Sequence, residues 1–123
     1  MTTDYNEHDK VVENIRDSNS NAFNVLTNLA GEQNYIGAIF PDLILSDKNT
    51  NNPIFIIEVK RNGNIALSMQ QWKAVQSIPA TLYFVVPESD LAAAKSIAQV
   101  IGLQTRFGSY KTSVDGVITV NYE

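Results

Sequence analysis

The sequence predicts an α/β domain in which helices flank a mixed central sheet. The main observation is a βαβ pattern: the apolar run IFIIEVK (54–60) precedes an amphipathic segment (64–78) and a second apolar run (81–86). Such a crossover joins parallel strands and is right-handed. The apolar runs before it are separated by short polar turns, which join antiparallel strands. A chain of 123 residues corresponds to about one domain, so 1–123 is interpreted as a single folding unit.

The N-terminal part is predicted to be helical on both sides of a polar break. Apolar residues within 11–15 provide a helical edge before the sequence DSNSN (17–21). After the break, apolar residues at helical spacing predict a second helix over 21–30, which Gly31 ends. The break therefore separates two short helices or bends one.

Three strands are predicted before the crossover helix. Short strands near 34–37 and over about 39–45 are apolar and β-prone. Pro41 marks an edge, a bulge or a strand start, because proline cannot donate a ladder hydrogen bond. SDKNTNNP is a turn by composition. The third strand, 54–60, shows little alternation, which is typical of a central strand covered on both faces.

The rest of the chain carries clear helix and turn signals. Pro79 ends one helix, and Gly102 follows another that begins with a proline and acidic residues. In chain order the pattern predicts a turn at 61–64, a helix over 64–78, a strand over 81–86, a helix over 87–102 and a hairpin that turns near Asp115-Gly116.

Composition excludes several classes of protein. The chain has no cysteine, so disulfides and thiolate metal sites are excluded. No apolar run approaches the ~20 residues that span a bilayer, and the polar start MTTDYNEHDK is not a secretory signal. We therefore expect a cytoplasmic protein with no membrane partner. The net charge of −4 argues against a protein held to nucleic acid mainly by phosphate contacts, although no acid occurs between Glu58 and Glu88.

Two carboxylates stand out in the predicted strand pair. If the turn is centred near residue 50, Asp42 lies opposite Glu58 with Cβ atoms ~4.5–5.5 Å apart. Two like charges at ~5 Å repel by about 3 kcal/mol at an effective dielectric constant near 20. A shared proton, a cationic side chain or a bound metal ion is expected to offset this repulsion. Lys60 points to the same face as Glu58, because strand side chains alternate with a period of two.

These side chains are typical of metal-assisted hydrolysis. Two carboxylates supply oxygen ligands for Mg²⁺, which polarises a phosphoryl group and acidifies a bound water. Lys60 can position that water or stabilise charge developing on the phosphate. A bulge at Pro41 would shift the register by one residue and turn Asp42 to the other face. Alternatively, all three are ordinary strand-end residues, an interpretation weakened by the apolar IFII directly before Glu58.

The motif and the predicted element order resemble the PD-(D/E)XK nuclease superfamily. Pro41-Asp42 matches the PD half of its motif, and Glu58 and Lys60 match the ExK half. The superfamily core is a helix, a three-strand meander, a helix and a parallel strand, the order predicted for 9–86. Small Holliday junction resolvases and RecB-like nuclease domains are the most similar in style. The resemblance implies a restriction-endonuclease-like fold and a deoxyribonuclease dependent on Mg²⁺ or Mn²⁺.

The resemblance also implies roles for individual residues. Asp42 and Glu58 would be metal ligands, the Val59 backbone carbonyl could complete the shell, and Lys60 would be the catalytic lysine. Many members add a glutamate from the first helix, for which Glu13 is the candidate.

Two of the implied positions have alternatives. Glu7 and Glu32 could replace Glu13, because the predicted helix 21–30 carries no acidic residue. Many members carry a glutamine on the helix after the lysine. Gln71 or Gln70 could fill that place, although the usual following tyrosine is missing.

Three functions are compatible with the sequence. The first is a metal-dependent DNA endonuclease, with a homodimer or a partner subunit because 123 residues offer little surface for sequence readout. The second is a catalytically silent module on the same fold that binds DNA or a protein. The third is an unrelated α/β protein in which the motif is accidental. His8, the single histidine, is expected to be exposed and inert, and Trp72 to lie in the core.

Overall fold

The computed structural model describes residues 3–29, 31–37, 39–60 and 65–123. These residues form a mixed sheet of six strands flanked by three α-helices. No helix within these ranges is long and apolar enough to cross a bilayer. In chain order the elements are α1 (Thr3–Asn19), β1 (Asn24–Thr27), β2 (Leu43–Ser46), β3 (Pro53–Val59), α2 (Ile65–Trp72), a 3-10 turn (Lys73–Val75), β4 (Thr81–Pro87), a second 3-10 turn (Glu88–Asp90), α3 (Leu91–Ile101), β5 (Arg106–Thr112) and β6 (Ile118–Tyr122).

Strand order across the sheet is the same as strand order along the chain, from β1 at one edge to β6 at the other. The central strands β3, β4 and β5 are parallel neighbours, and the outer pairs are antiparallel. The predicted mixed sheet and the parallel β3–α2–β4 unit are therefore confirmed. This arrangement brings the C-terminal ends of β3 and β4 to the same end of the sheet as the start of β2.

Two apolar clusters cover the two faces of the sheet. Side chains alternate between them along each strand, so that Ile56 and Phe84 enter one cluster while Ile57 and Val85 enter the other. The first cluster packs under α2 and α3, and the second packs under α1. Strand β3 is thus covered on both faces, as its unbroken apolar run predicts. The buried helical residues are Ile65, Met69, Trp72, Ala94 and Ala98 in the first cluster and Val11, Val12 and Ile15 in the second.

The second helix predicted over 21–30 is wrong, and its last residue lies outside the described residues. Helix α1 continues through the first part of DSNSN and ends at Asn19. Near that end, Ser18, Asn19 and Ser20 donate side-chain hydrogen bonds to carbonyls one turn earlier. Such bonds compete with regular backbone structure. The chain then forms β1, because pairing with β2 outweighs the helical spacing of its apolar residues.

The strand predicted near 34–37 is also wrong as a regular strand. In this region Ile36 and Ile39 form an isolated antiparallel bridge. The strand predicted over 39–45 is present but begins later, at Leu43. The segment between β1 and β2 is therefore a folded loop on the same side of the sheet as α2, since both isoleucines pack against the cluster under that helix.

The second half of the chain follows the predicted order. Helix α2 is shorter than the predicted 64–78, because a 3-10 turn replaces it after Trp72, and the turn predicted at 61–64 lies outside the described residues. Gly102 ends α3 with φ 75°, a left-handed conformation that glycine adopts without strain. Strands β5 and β6 form the predicted hairpin, with Gly116 at φ 83° in the turn.

Candidate active site

Two carboxylates face each other where β2 begins and β3 ends. The register of the β2–β3 ladder, continued by one residue, places Asp42 opposite Glu58. The Asp42 N–H donates to Glu58 Oε1 over 3.2 Å, and the Val59 N–H donates to Asp42 Oδ2 over 2.8 Å. The predicted pairing of the two carboxylates is confirmed. The register shift between these strands lies at the opposite end of β2 from Pro41 and leaves the pairing intact.

Lys60 places a cation beside this pair. Its Nζ lies 3.5 Å from Glu58 Oε2, and the side chains of Lys60 and Glu58 are 25% and 13% exposed. The Lys60 N–H donates to the Val85 carbonyl over 2.8 Å, and the Lys60 carbonyl accepts from the Tyr110 hydroxyl over 3.1 Å. These bonds come from β4 and β5, so the parallel part of the sheet fixes the backbone that carries the lysine.

His8 belongs to the same cluster, and the expectation that it is exposed is wrong. Its Nε2 lies 3.2 Å from Asp42 Oδ1, and its Nδ1 lies 3.1 Å from Asp9 Oδ1. The sequence contained a signal for this position. His8 precedes the buried Val11, Val12 and Ile15 at helical spacing, so it extends the apolar stripe of α1 toward the sheet.

Opposite charge sets the ionisation of His8 and Asp42. Burial alone would lower the pKa of His8, but its hydrogen bond to Asp42 and the negative charges of Asp42 and Asp9 raise that pKa above 6.5. Burial alone would raise the pKa of Asp42, but the hydrogen bond and charge of His8 lower it below 3.8. A hydrogen bond from Glu58 and one from the Val59 N–H act in the same direction. The contact therefore favours the ionised form of Asp42 and the protonated form of His8.

Glu58 is shifted in the opposite direction. Burial and the negative charge of Asp42 raise the pKa of Glu58 well above 4.5, and Lys60 offsets only part of that shift. Of the three means of offsetting the repulsion between the two carboxylates that the sequence predicts, the structure shows the cationic side chain, Lys60 beside Glu58.

The other candidate residues lie apart from this cluster. Glu13 is exposed on α1, and Glu32 is exposed in the loop after β1. Glu7 accepts a hydrogen bond of 2.5 Å from the Thr112 hydroxyl on β5. Gln70 and Gln71 are exposed on α2. Among the described residues, no hydrogen bond or ion pair joins any of these side chains to Asp42 or Glu58, and their implied roles stay predictions.

The cluster contains imidazole nitrogen and carboxylate oxygen atoms, which are donor types that divalent cations bind. His8 Nε2 and Asp42 Oδ1 are 3.2 Å apart, close to the ~3 Å between adjacent ligands of an octahedral metal with bonds of ~2.1 Å. Glu58 adds a carboxylate whose negative charge the fold leaves incompletely compensated. Within the described part of the chain, no three such side chains already surround one point that could hold a metal. Binding would therefore require side-chain rotation and the release of protons from His8 and Glu58.

Comparison of the chain with protein-family models, with curated proteins and with solved structures gives no significant match. The features that bear on function are the facing carboxylates, the adjacent lysine and the imidazole that joins them from α1.

Proposed function

We propose that this protein is a divalent-metal-dependent nuclease that hydrolyses phosphodiester bonds in DNA. The observation that carries the proposal is the pairing of Asp42 with Glu58 across β2 and β3, with Lys60 Nζ 3.5 Å from Glu58. A purely structural ion pair would not need a second buried carboxylate whose ionisation opposes the first. Clusters of titratable groups that shift one another in this way are typical of catalytic sites.

The order of elements supports the same proposal. The chain runs α1, β1, β2, β3, α2, β4 before its last helix and hairpin. That order matches the helix, three-strand meander, helix and parallel strand of the PD-(D/E)XK superfamily that the motif resembles. The two motif carboxylates lie on neighbouring strands of this meander, since Asp42 directly precedes β2 and Glu58 lies near the end of β3.

Each residue of the cluster would have a separate role in hydrolysis. Asp42, Glu58 and His8 would hold the cation, with the Val59 carbonyl as a further oxygen ligand. A divalent cation supplies Lewis acidity toward the phosphoryl group and toward a water. Asp9 orients the His8 ring through Nδ1, as carboxylates do for metal-binding histidines. Lys60 positions the attacking water or stabilises the charge that develops on the phosphate.

A second candidate function is a silent module of the same fold that binds DNA or a protein. The observation that favours it is that a basic side chain lies beside each carboxylate, His8 beside Asp42 and Lys60 beside Glu58. A descendant that has lost its metal could be stabilised in this way. Turnover separates the two candidates.

The deciding experiment is cleavage of plasmid, single-stranded and branched DNA with Mg²⁺ or Mn²⁺. We expect wild type to cut at least one of these, and Lys60→Met to lower the rate roughly 10²–10³-fold, the effect of removing one charge-stabilising donor. Asp42→Asn should lower it at least as much. Lys48→Met is the matched control, because Lys48 is exposed in the turn at the opposite end of β2.

A second measurement tests the metal site independently of which DNA substrate is chosen. Titration calorimetry with Mn²⁺ should show binding that Asp42→Asn weakens and Lys48→Met does not. If wild type neither binds Mn²⁺ nor cuts any of the three substrates, the nuclease proposal is wrong. If it binds Mn²⁺ and DNA without turnover, the silent module becomes the better description.

A further inference from the structure

Two aromatic side chains are exposed in the loop before Asp42. Tyr35 is 69% exposed and Phe40 is 38% exposed. Their ring centroids are 6.0 Å apart with an interplanar angle of 62°, so the rings contact each other edge to face. Large apolar side chains that lie side by side in solvent are more typical of a binding surface than of a solvated loop.

The backbone of this loop directs the two rings outward. Ile36 and Ile39 exchange two backbone hydrogen bonds, of 2.9 and 3.2 Å, and both pack against the cluster under α2. Tyr35 and Phe40 are the next facing pair, and neighbours along extended chains point to opposite sides. Gly37 allows the tight reversal, since it adopts φ 59°. The isoleucines thus anchor the loop while the aromatic rings face solvent.

The side chain of Asn28 holds the same loop in place. Its Oδ1 accepts from the N–H groups of Gln33 and Asn34 over 2.9 and 2.7 Å, and its Nδ2 donates to the carbonyls of Asn34 and Pro41 over 2.7 and 2.6 Å. The Asn28 N–H also donates to the Asp42 carbonyl over 3.4 Å. These bonds hold the described residues on both sides of the aromatic pair and tie this segment to the candidate active site.

The aromatic pair lies close to the carboxylates. Phe40 is two residues from Asp42, so their Cα atoms are at most about 7.6 Å apart. The loop packs on the face of the sheet to which Ile56 points, and Glu58 points to that face as well. A base next to a phosphate at Asp42 and Glu58 could therefore reach the rings.

The charge of the chain favours stacking as the means of binding. With a net charge of −4, the protein gains little from neutralising phosphates, the term that dominates duplex binding. Stacking of bases on aromatic rings tolerates any sequence, because every base has a π-face. It does require a base that is free of its partner.

We propose that Tyr35 and Phe40 form a stacking platform for an unpaired nucleobase beside the scissile phosphate. The inference rests on the nuclease function proposed above and names its substrate class: single-stranded DNA, or a duplex with unpaired bases at the cleavage position. The platform selects the DNA substrate by binding an unpaired base, whereas Asp42, Glu58 and Lys60 act on the phosphate.

The test measures binding separately from cleavage. Fluorescence anisotropy in EDTA compares a labelled oligothymidylate of about 16 nucleotides with a blunt duplex of the same length. The variants are Tyr35→Leu, the double variant Tyr35→Leu/Phe40→Leu, and Tyr35→Phe, which keeps the ring. Tyr122→Leu is the matched control, because Tyr122 is also an exposed aromatic residue but lies on the edge strand β6. Melting temperatures establish that each variant is folded.

We expect the oligothymidylate to bind more tightly than the duplex. The double leucine variant should weaken that binding roughly 5-fold to 100-fold, the effect of losing one stacked base. Tyr35→Leu alone should lose part of the affinity, whereas Tyr35→Phe and Tyr122→Leu should bind as wild type does. Leucine keeps the surface apolar, so this loss is specific to stacking.

Several results would overturn the inference. If the double leucine variant binds the oligothymidylate as wild type does, or if wild type prefers the blunt duplex, the platform is wrong even when cleavage and its dependence on Lys60 stand. If wild type binds no DNA and cuts none, the nuclease proposal and the inference fail together. If light scattering shows a wild-type dimer that the leucine variant loses, the rings belong to an interface between two copies of the chain.

Discussion

Glu58 follows four apolar residues in a strand that is covered on both faces, and its carboxyl group is buried beside that of Asp42. Because burial and Asp42 raise its pKa, the folded protein binds a proton at Glu58 more tightly than the unfolded chain does. The stability that this proton provides is present below pH 4.5 and is lost as pH rises through the pKa of the folded state. At neutral pH without metal, Glu58 therefore works against folding.

Replacing Glu58 by glutamine should stabilise the metal-free protein. Glu58→Gln keeps the size of the side chain and removes its ionisation, so the free energy of unfolding at pH 8 should rise by roughly 0.5–2 kcal/mol, as for other single stabilising substitutions. The gain should shrink toward pH 4. Urea denaturation in EDTA at both pH values measures it. Equal stability of the two proteins at pH 8 would mean that Glu58 carries no such cost.

Unlike Glu58, the ion pair of His8 and Asp42 should stabilise the folded protein at pH values where both groups are charged. The raised pKa of His8 provides stability below pH 6.5 that is lost as pH rises through its folded value. The lowered pKa of Asp42 provides stability above pH 3.8 that is lost as pH falls through its folded value. Both contributions are present near pH 5.

His8→Gln should therefore destabilise the protein most near pH 5. The loss should be about 1–3 kcal/mol, since it leaves a largely buried carboxylate without its cation, and it should be smaller at pH 9. Urea denaturation at the two pH values measures the difference. Arg16→Gln is the control, because the Arg16–Asp17 pair is more exposed and should contribute less than 1 kcal/mol. A loss independent of pH would contradict the ion pair.

At this scale the sequence was informative where the backbone is regular. The register of a short hairpin follows from its turn, so the pairing of Asp42 with Glu58 could be predicted, and Lys60 followed from the two-residue alternation of β3. The contact of His8 with Asp42 depends on how α1 lies across the sheet. Helix packing is a tertiary property, and the spacing of His8 from Val11 and Val12 could indicate only which way the ring points.

At the scale of elements, Asn28 takes the place of a regular strand pairing. Its side chain makes four hydrogen bonds within the segment that joins β1 to β2. These bonds satisfy backbone groups that have no ladder partner there. The loop before Asp42 is therefore held by the side chain of Asn28 together with the Ile36–Ile39 bridge, rather than by regular sheet pairing.

Removing that side chain should loosen the loop. Asn28→Ala should lower the free energy of unfolding by about 1–3 kcal/mol, because partly buried backbone groups lose their partners. Chemical denaturation at pH 7 measures the loss. Asn52→Ala is the control, since Asn52 is exposed in the β2–β3 turn, and its effect should stay within about 0.5 kcal/mol. Similar stability of the two variants would show that the loop is held by its isoleucines alone.

The errors in predicting elements have a common cause. Phe23, Leu26 and Leu29 fit helical spacing, but the segment Asn24–Thr27 also offers a strand edge to β2, and the sheet decides. The apolar stretch near Ile36 looks like a strand, but it is too short to pair beyond a single bridge. Long apolar runs such as β3 and β4 leave no such choice, and their predictions are confirmed.

At the scale of the whole molecule, the sheet lies between two helical layers, and one apolar cluster packs on each of its faces. Phe84 of β4 is fully buried and contacts Trp72 of α2 edge to face, with ring centroids 5.7 Å apart. Trp72 lies in the core, as predicted. Because it is the single tryptophan of the chain, its emission reports on the packing of α2 against the sheet.

Truncation of Phe84 should disturb that layer strongly. Phe84→Ala should cost about 3–5 kcal/mol of unfolding free energy, the usual cost of an aromatic core residue, and it should shift the emission of Trp72 toward that of an exposed indole. Val100→Ala is the control, because Val100 is 85% exposed on α3, and it should change stability by less than about 0.5 kcal/mol. A small loss for Phe84→Ala would mean that the core refills the space.

The order of the strands in the sheet has a consequence for how the molecule is made. Each strand lies beside the strand that precedes it in the chain, so each pairing is between segments close in sequence. No pairing therefore has to wait for a strand from a distant part of the chain. During synthesis on a ribosome, each newly emerged strand finds its neighbour already in place. The sheet can thus grow from its N-terminal edge one strand at a time, and at each stage only one long edge, the one that the next strand will cover, awaits a partner.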